Sequence, residues 1–271
     1  MFGFLRNRRR RRLRARPFPP EWLDIVRGNV PFFACLSEPD RQQLLGHVQV
    51  FLAEKRFEGC GGLVMTDEIR VTVAAQACLL LLHRQADYYP RLVSILVYPT
   101  AYMSEERRMT RAGVMTEGHT VRLGESWDRA GAVVLSWDGV RVGGADARQG
   151  QNVVLHEFAH QLDSKEGLTD AVSMLEESGS EPRLRTRYLA WARTLSREYE
   201  RLKRDAETGR PTVLSTYGAT NPAEFFAVAT ETFFENPREL RKKHPQLYDE
   251  LGAFYAQDPA AWRSPERTGL S

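Results

Sequence analysis

His156 and His160, with Glu157 between them, constrain this chain more than any other feature of its sequence. They form the pattern H-E-x-x-H, and the other residues from Val154 to Leu162 are uncharged. Residues four apart lie on one face of a helix, so both imidazoles can point at one metal ion about 2.0–2.1 Å away. Glu157, one position further round the helix, can reach a water molecule on that ion as a general base. The pattern predicts a catalytic zinc site; the alternative is two core histidines beside a surface glutamate.

A catalytic zinc ion takes three protein ligands, so a third is needed. Asp163 lies seven residues after His156 and therefore about 10 Å further along the helix axis. That distance suits a role near the substrate, an indirect role beside the site, or simple solvation at the helix end, better than a role as ligand.

Glu224 is the predicted third ligand, because a glutamate on a second buried helix completes many zinc sites of this kind. It is followed by Phe225-Phe226, which indicates a buried face. The alternative is that Glu224 and Asn221 form a capping box at the helix start. Glu231, seven residues later on the same face, is predicted either to orient a ligand histidine or to be an exposed acid.

Apolar periodicity predicts an α+β chain that is mostly helical, with a small sheet beside the zinc helix. We divide it into a disordered arginine-rich tail (1–19), an N-terminal helical region (20–88) and a catalytic region (89–271). Leu92 to Tyr98 and Gly131 to Trp137 are predicted strands, and Ser164 to Glu181 is predicted to be a polar loop. Ala132 to Trp137 is the predicted sheet edge for an extended peptide to pair with.

The charge of the chain is concentrated at one place. Residues 1–20 contain eight arginines and no acid, so a net charge of +3 leaves 3 − 8 = −5 for the remainder. Arginine blocks of this kind are usually disordered and solvated. Pro17 to Pro20 stands where an export signal needs an apolar segment, and no apolar run is long enough to span a bilayer. Three widely spaced cysteines suit a reducing compartment. We expect a cytoplasmic protein whose nucleic-acid or anionic-membrane contacts are limited to this tail.

Two resemblances follow from these motifs. The segment from Leu214 to Ala227 closely resembles part of the anthrax lethal factor protease domain. From about Trp22 to Asp258, the chain resembles the Mlc titration factor A family of bacterial zinc peptidases. The motifs that carry this likeness, in the family's order, are Trp22-Leu23, Cys35-Leu36, Phe51 to Arg56, Val97 to Pro99, Ser126-Trp127, Val134 to Trp137, His156 to Asp163 and Pro222 to Phe234.

The resemblance implies a zincin-like fold of the gluzincin type and one zinc ion per chain. It implies His156, His160 and Glu224 as ligands and Glu157 as general base. It also points to Tyr217, seven residues before the glutamate ligand as in lethal factor, where a phenol can donate to an oxyanion. The implied activity is peptide hydrolysis with aminopeptidase character on small substrates. Enterobacterial members also bind Mlc, a glucose-responsive transcriptional repressor, and draw it off DNA.

Two rival interpretations remain open. The first is a non-catalytic protein that binds a regulator and holds zinc as a structural ion; the presence of Glu157 argues against it, because a structural site has no use for that acid. The second is a nucleic-acid protein that binds through its arginine tail, in a salt-sensitive manner.

Overall fold

Helices form most of the chain in this computed structural model, which describes residues 2–84, 87–100, 102–109, 115–122, 124–127, 131–145, 152–166 and 182–262. The α-helices, in chain order, are α1 (Phe2–Arg14), α2 (Pro20–Asn29), α3 (Phe32–Cys35), α4 (Glu38–Glu54), α5 (Asp67–Leu79), α6 (Trp137–Ala145), α7 (Val153–Glu166), α8 (Pro182–Glu207), α9 (Pro222–Glu235), α10 (Pro237–Lys243) and α11 (Pro245–Tyr255). Short 3-10 helices span Thr216–Ala219 and Pro259–Ala261. The mostly helical α+β prediction is confirmed.

The arginine-rich segment is a helix packed on the body, so the prediction of a disordered tail is wrong for residues 2–14. Arg10 is only 6% exposed. Its guanidinium donates to both carboxylate oxygens of Glu54, at 2.8 and 2.7 Å, and to Asp87 at 3.3 Å. It also lies over the ring of Tyr88. A run of arginines predicts disorder on the assumption that water is its only partner. Here the tertiary structure supplies carboxylate acceptors for one of the arginines.

The second and third predicted regions share one sheet. Its strands are β1 (Arg56–Gly59), β2 (Ser94–Tyr98), β5 (Gly124–Trp127) and β6 (Ala132–Ser136), in the order β1-β2-β6-β5. The first three in this order run parallel, and β5 is antiparallel to β6. A separate antiparallel pair consists of β3 (Tyr102–Met109) and β4 (Met115–Arg122). β1 belongs to the predicted region 20–88 and pairs with β2, which belongs to the predicted region 89–271. The sheet therefore crosses the boundary near residue 88, and that boundary stays a prediction.

The predicted sheet edge is wrong by one strand. β6 is buried throughout and pairs with β2 on one side and with β5 on the other. It therefore has no open edge, and the outer strand on this side of the described sheet is β5. The chain after β6 continues directly into α6, which includes Asp138 and Gly139.

α7 occupies the middle of the molecule and packs against α5, α9 and the sheet. Its Phe158 is fully buried and packs edge-on against Tyr89, with ring centroids 4.8 Å apart. α7 continues to Glu166, past the predicted end near Asp163; the rest of the predicted loop, 167–181, lies outside the described residues. In the described part of the chain, no helix has both the length and the apolar character that crossing a bilayer requires.

Candidate metal centre

The start of α7 is fixed by Asn152, which sits immediately before it. The Asn152 side-chain oxygen accepts the backbone N–H of Leu155 at 2.9 Å, and its amide nitrogen donates to the carbonyl of Gly143. This is the N-cap arrangement that satisfies one of the free amides of a helix start. In the helix that follows, the apolar side chains enter the core while His156 and His160 share a partly exposed face.

His156 and His160 lie together as the spacing predicted. Their Nε2 atoms are 3.2 Å apart, and the ring centroids are 4.9 Å apart. Both side chains are mostly buried, with exposed fractions of 14% and 16%. At this distance, the Nε2 atoms of both histidines can bind the same cation.

Glu224 reaches this pair from α9, which packs against α7. α9 begins at Pro222, and the Asn221 side chain caps it by accepting the N–H groups of Ala223 and Glu224, each at 3.0 Å. Asn221 thus makes its half of a capping box. The Glu224 carboxylate points elsewhere: its Oε2 lies 2.9 Å from His156 Nε2 and 3.5 Å from His160 Nε2.

These three donors fit a zinc ion in number and in spacing. Among the described residues, His156, His160 and Glu224 form the one group of three or more metal-ligating side chains whose ligand atoms converge, all within 4.8 Å. Tetrahedral ligands at 2.0–2.1 Å from zinc lie roughly 3.3 Å from one another. The three distances found, 2.9, 3.2 and 3.5 Å, surround that value. Two imidazole nitrogens and one carboxylate oxygen are also a ligand set typical of zinc.

The electrostatics of the site favour a positive charge. Burial would lower the pKa of His156, but hydrogen bonds to Glu224 and Glu231 outweigh it and raise that pKa to about 10. Burial would raise the pKa of Glu224, yet the two histidines hold it well below its usual range. A buried cluster with this much negative charge requires a cation as its partner, either protons on the imidazoles or a metal ion.

Glu231 lies behind His156 and orients it. Its Oε1 accepts a hydrogen bond from His156 Nδ1 at 2.6 Å, and it also accepts the backbone N–H of Asn152. Burial raises the pKa of Glu231. With the proton held on Nδ1, the lone pair of His156 Nε2 faces Glu224 and His160. Of the two sequence interpretations, orientation of a ligand histidine matches this geometry; Asp163 is not in the converging group.

Glu157 and Tyr217 complete the neighbourhood. Glu157 is buried on α7, one position from His156. Tyr217 lies in the 3-10 helix Thr216–Ala219, with its ring centroid 6.0 Å from that of His156. Tyr217 is 55% exposed, so its ring lies both beside His156 and in contact with solvent.

Gly218 explains how the 3-10 helix comes so close to α9. A Cβ added at Gly218 would lie 3.1 Å from a methyl group of Leu202 and 3.2 Å from Cβ of Val228. A larger residue would require Leu202 and Val228 to give way, or the 3-10 helix that carries Tyr217 to shift. Sequence reasoning did not single out Gly218 or Asn152, although an asparagine directly before a helix is a recognisable N-cap signal.

Comparison with known proteins gives the family. Residues 4–256 match the family described as glucose-regulated metallo-peptidase M90, so the match includes most of α1, which lies outside the resemblance drawn from the motifs. An uncharacterized protein of Synechocystis sp. is 44% identical over 93% of this chain and 89% of its own length. Proteins of Yersinia pestis and Yersinia pseudotuberculosis, both named Mlc titration factor A, are 30% identical over 89% of this chain and 86% of theirs. The chain belongs to the glucose-regulated metallo-peptidase family M90.

Proposed function

We propose that this protein is a zinc-dependent peptidase of the gluzincin type, with a zincin-like fold. The observation that carries the proposal is the convergence of His156, His160 and Glu224 from two packed helices, with spacings close to those of tetrahedral zinc ligands. One zinc ion per chain would be held by these three side chains. When bound, zinc supplies Lewis-acid polarisation of a carbonyl oxygen and lowers the pKa of a water molecule.

Glu157 is the general base in this proposal. It neighbours His156 on α7 and is buried, so bulk water does not compete for its carboxylate. A carboxylate oxygen of Glu157 takes a proton from the attacking water and then delivers it to the nitrogen of the leaving amine. Glu157 is therefore a proton carrier and not a fourth ligand.

Tyr217 stabilises the oxyanion in this proposal. Its ring lies beside that of His156 and its side chain is open to solvent, so a peptide entering the site would pass close to the phenol. The phenol O–H then donates to the oxygen of the scissile carbonyl as negative charge develops on it.

The substrate is a short peptide, and the family resemblance favours aminopeptidase character. β5 is the strand with which the peptide would pair, because it is the outer strand on the side of the described sheet that packs against α7. An extended peptide there would gain main-chain hydrogen bonds and run past the histidines.

The test is hydrolysis of aminoacyl and short-peptide reporters by zinc-loaded protein. Glu157→Gln should abolish turnover and retain zinc, whereas Glu224→Ala should reduce both zinc content and turnover. Glu200→Gln, an exposed change on α8, is the matched control and should alter neither. A zinc-loaded, active Glu224→Ala protein would remove Glu224 from the ligand set. Turnover retained in Glu157→Gln would exclude Glu157 as the general base, and a zinc-loaded wild type without turnover would favour the structural-zinc alternative.

A second proposed function is binding of a transcriptional repressor that resembles Mlc. The name of the Yersinia relatives, Mlc titration factor A, supports it. The test adds this protein to a labelled operator carrying a purified Mlc-type repressor and follows release of the DNA. Release by both wild type and Glu157→Gln would make repressor binding independent of catalysis, and no release would reject it.

A further inference from the structure

The outer face of α1 presents a set of arginines that the fold does not use. Arg6 and Arg10 pair with acids of the body. Within the described residues, no ion pair is found for the six other exposed arginines of this segment, which are Arg8, Arg9, Arg11, Arg12, Arg14 and Arg16. This concentration of positive charge is therefore available to something outside the chain.

The helix that carries these arginines is held in a fixed position on the body. α1 packs against α4, and Arg10 fastens it through the buried contacts with Glu54 and Asp87. Leu13 packs against the core from the same face of α1. A partner therefore meets a preformed array, without the cost of ordering a flexible tail.

Apolar groups lie among these charges. Phe4 is 67% exposed and Leu5 is 56% exposed, at the beginning of the same helix. A groove of about 440 Å³ runs beside α1, and its lining includes Arg8, Arg9, Arg12 and Arg16 together with apolar atoms of Leu13 and Ala53. The face thus combines guanidinium groups with apolar surface.

We propose that this face of α1 binds the surface of a bilayer that contains anionic phospholipids. Guanidinium groups bind phosphate with two parallel hydrogen bonds, and large apolar side chains beside them enter the boundary between head groups and acyl chains. The body has a net charge of 3 − 8 = −5 outside residues 1–20, so an anionic surface attracts α1 and repels the rest. The phosphates of a nucleic acid would also bind the arginines, but a nucleic-acid backbone offers no apolar layer for Phe4 and Leu5.

The test measures binding of the full-length protein to vesicles by flotation. Vesicles of phosphatidylcholine mixed with phosphatidylglycerol should bind the protein, less so as salt rises, and vesicles of phosphatidylcholine alone should not. The triple variant Arg8→Ser, Arg9→Ser, Arg12→Ser should lower the partition coefficient on the order of 100-fold, because each basic residue near an anionic surface contributes roughly fivefold. A matched triple change of exposed arginines elsewhere, at Arg193, Arg204 and Arg238, should leave it unchanged.

A second variant, Phe4→Ser with Leu5→Ser, separates apolar insertion from charge and should lower partitioning about tenfold or more. It also decides the matter if the arginine variant fails to fold, which its thermal unfolding would reveal. Failure of the wild type to bind anionic vesicles, equal binding to neutral vesicles, or unchanged binding of both variants would overturn the proposal. So would binding to a labelled oligonucleotide without binding to vesicles, which would assign the face to nucleic acid.

Discussion

The hydrogen bond between Glu231 and His156 gives the sharpest test of the proposed zinc site, because it acts on the metal without touching it. Replacing Glu231 by Gln keeps an oxygen that can accept from His156 Nδ1, but removes the charge and turns the other acceptor into a donor facing the Asn152 region. Replacing it by Leu, of similar volume, removes the acceptors altogether. We expect both variants to bind zinc more weakly, with Leu the weaker.

The expected magnitude follows from how buried this contact is. The side chains of His156 and Glu231 are only 14% and 7% exposed, and Nδ1 and Oε1 are 2.6 Å apart. Partners behind a ligand histidine contribute about 10- to 100-fold to metal affinity. Since water cannot easily replace a contact this buried, we expect about 10-fold weaker zinc binding for Glu231→Gln and about 100-fold for Glu231→Leu.

Competition for zinc with a chromophoric chelator measures this affinity directly. Glu239→Gln is the control, because it removes an exposed carboxylate from α10 and should leave zinc affinity unchanged. Thermal unfolding of each metal-free variant checks that the fold is kept. Wild-type zinc affinity in Glu231→Leu would refute the reasoning, since His156 would then be oriented by something else.

Three further predictions concern the fold, its pH dependence and the reaction. Arg10→Met should lower the free energy of unfolding by about 2 kcal/mol, between the values for exposed and for fully buried ion pairs, because it removes a buried guanidinium from the partly buried carboxylates of Glu54 and Asp87. Arg11→Met should change the free energy of unfolding by less than about 0.5 kcal/mol; equal urea denaturation curves would contradict the docking of α1. Burial and the charge of Arg14 lower the pKa of His47 to about 4. An unfolded histidine titrates near pH 6.5. Wild-type stability should therefore fall as the pH drops from about 6.5 to about 4, by up to about 3 kcal/mol from this group, and His47→Gln should lose less over that window; equal losses in denaturation at both pH values would contradict the assignment. Tyr217→Phe should lower kcat about 10²- to 10³-fold, the effect of one oxyanion donor, with zinc content unchanged; an unchanged rate would exclude this role.

The relative positions of His156, Glu157 and His160 could be predicted from the sequence because the three residues lie on one helix, and a helix has fixed geometry. The spacing of His156 and His160 requires one shared face once a helix forms. Glu224 was harder, since Asn221 three residues earlier permits a capping box in which the carboxylate turns back on its own helix. Only the packing of α9 on α7 brings the Nε2 atoms of His156 and His160 to 2.9 and 3.5 Å from that carboxylate.

The order of the strands in the sheet and the structure of the arginine-rich segment depend on residues that are distant in the sequence. A run such as Ala132–Ser136 has the same composition whether it is inside a sheet or at its edge, so the sequence did not reveal that β5 lies outside β6. Similarly, a run of arginines predicts solvation unless distant acids meet it. Glu54 and Asp87, 44 and 77 residues from Arg10, are such acids, and no local pattern indicates them.

The sequence by itself determined the mostly helical character of the chain, the H-E-x-x-H face and the chemical type of each donor, because these depend on residue spacing and side-chain chemistry within one or two turns. Tertiary structure alone decided the convergence of Glu224 and Glu231 on His156, the position of Tyr217 beside the site, and the docking of α1. The physical reason is that these contacts join residues far apart in the chain. Their geometry is therefore set by the packing of whole helices and by burial in the core, neither of which a local sequence pattern encodes.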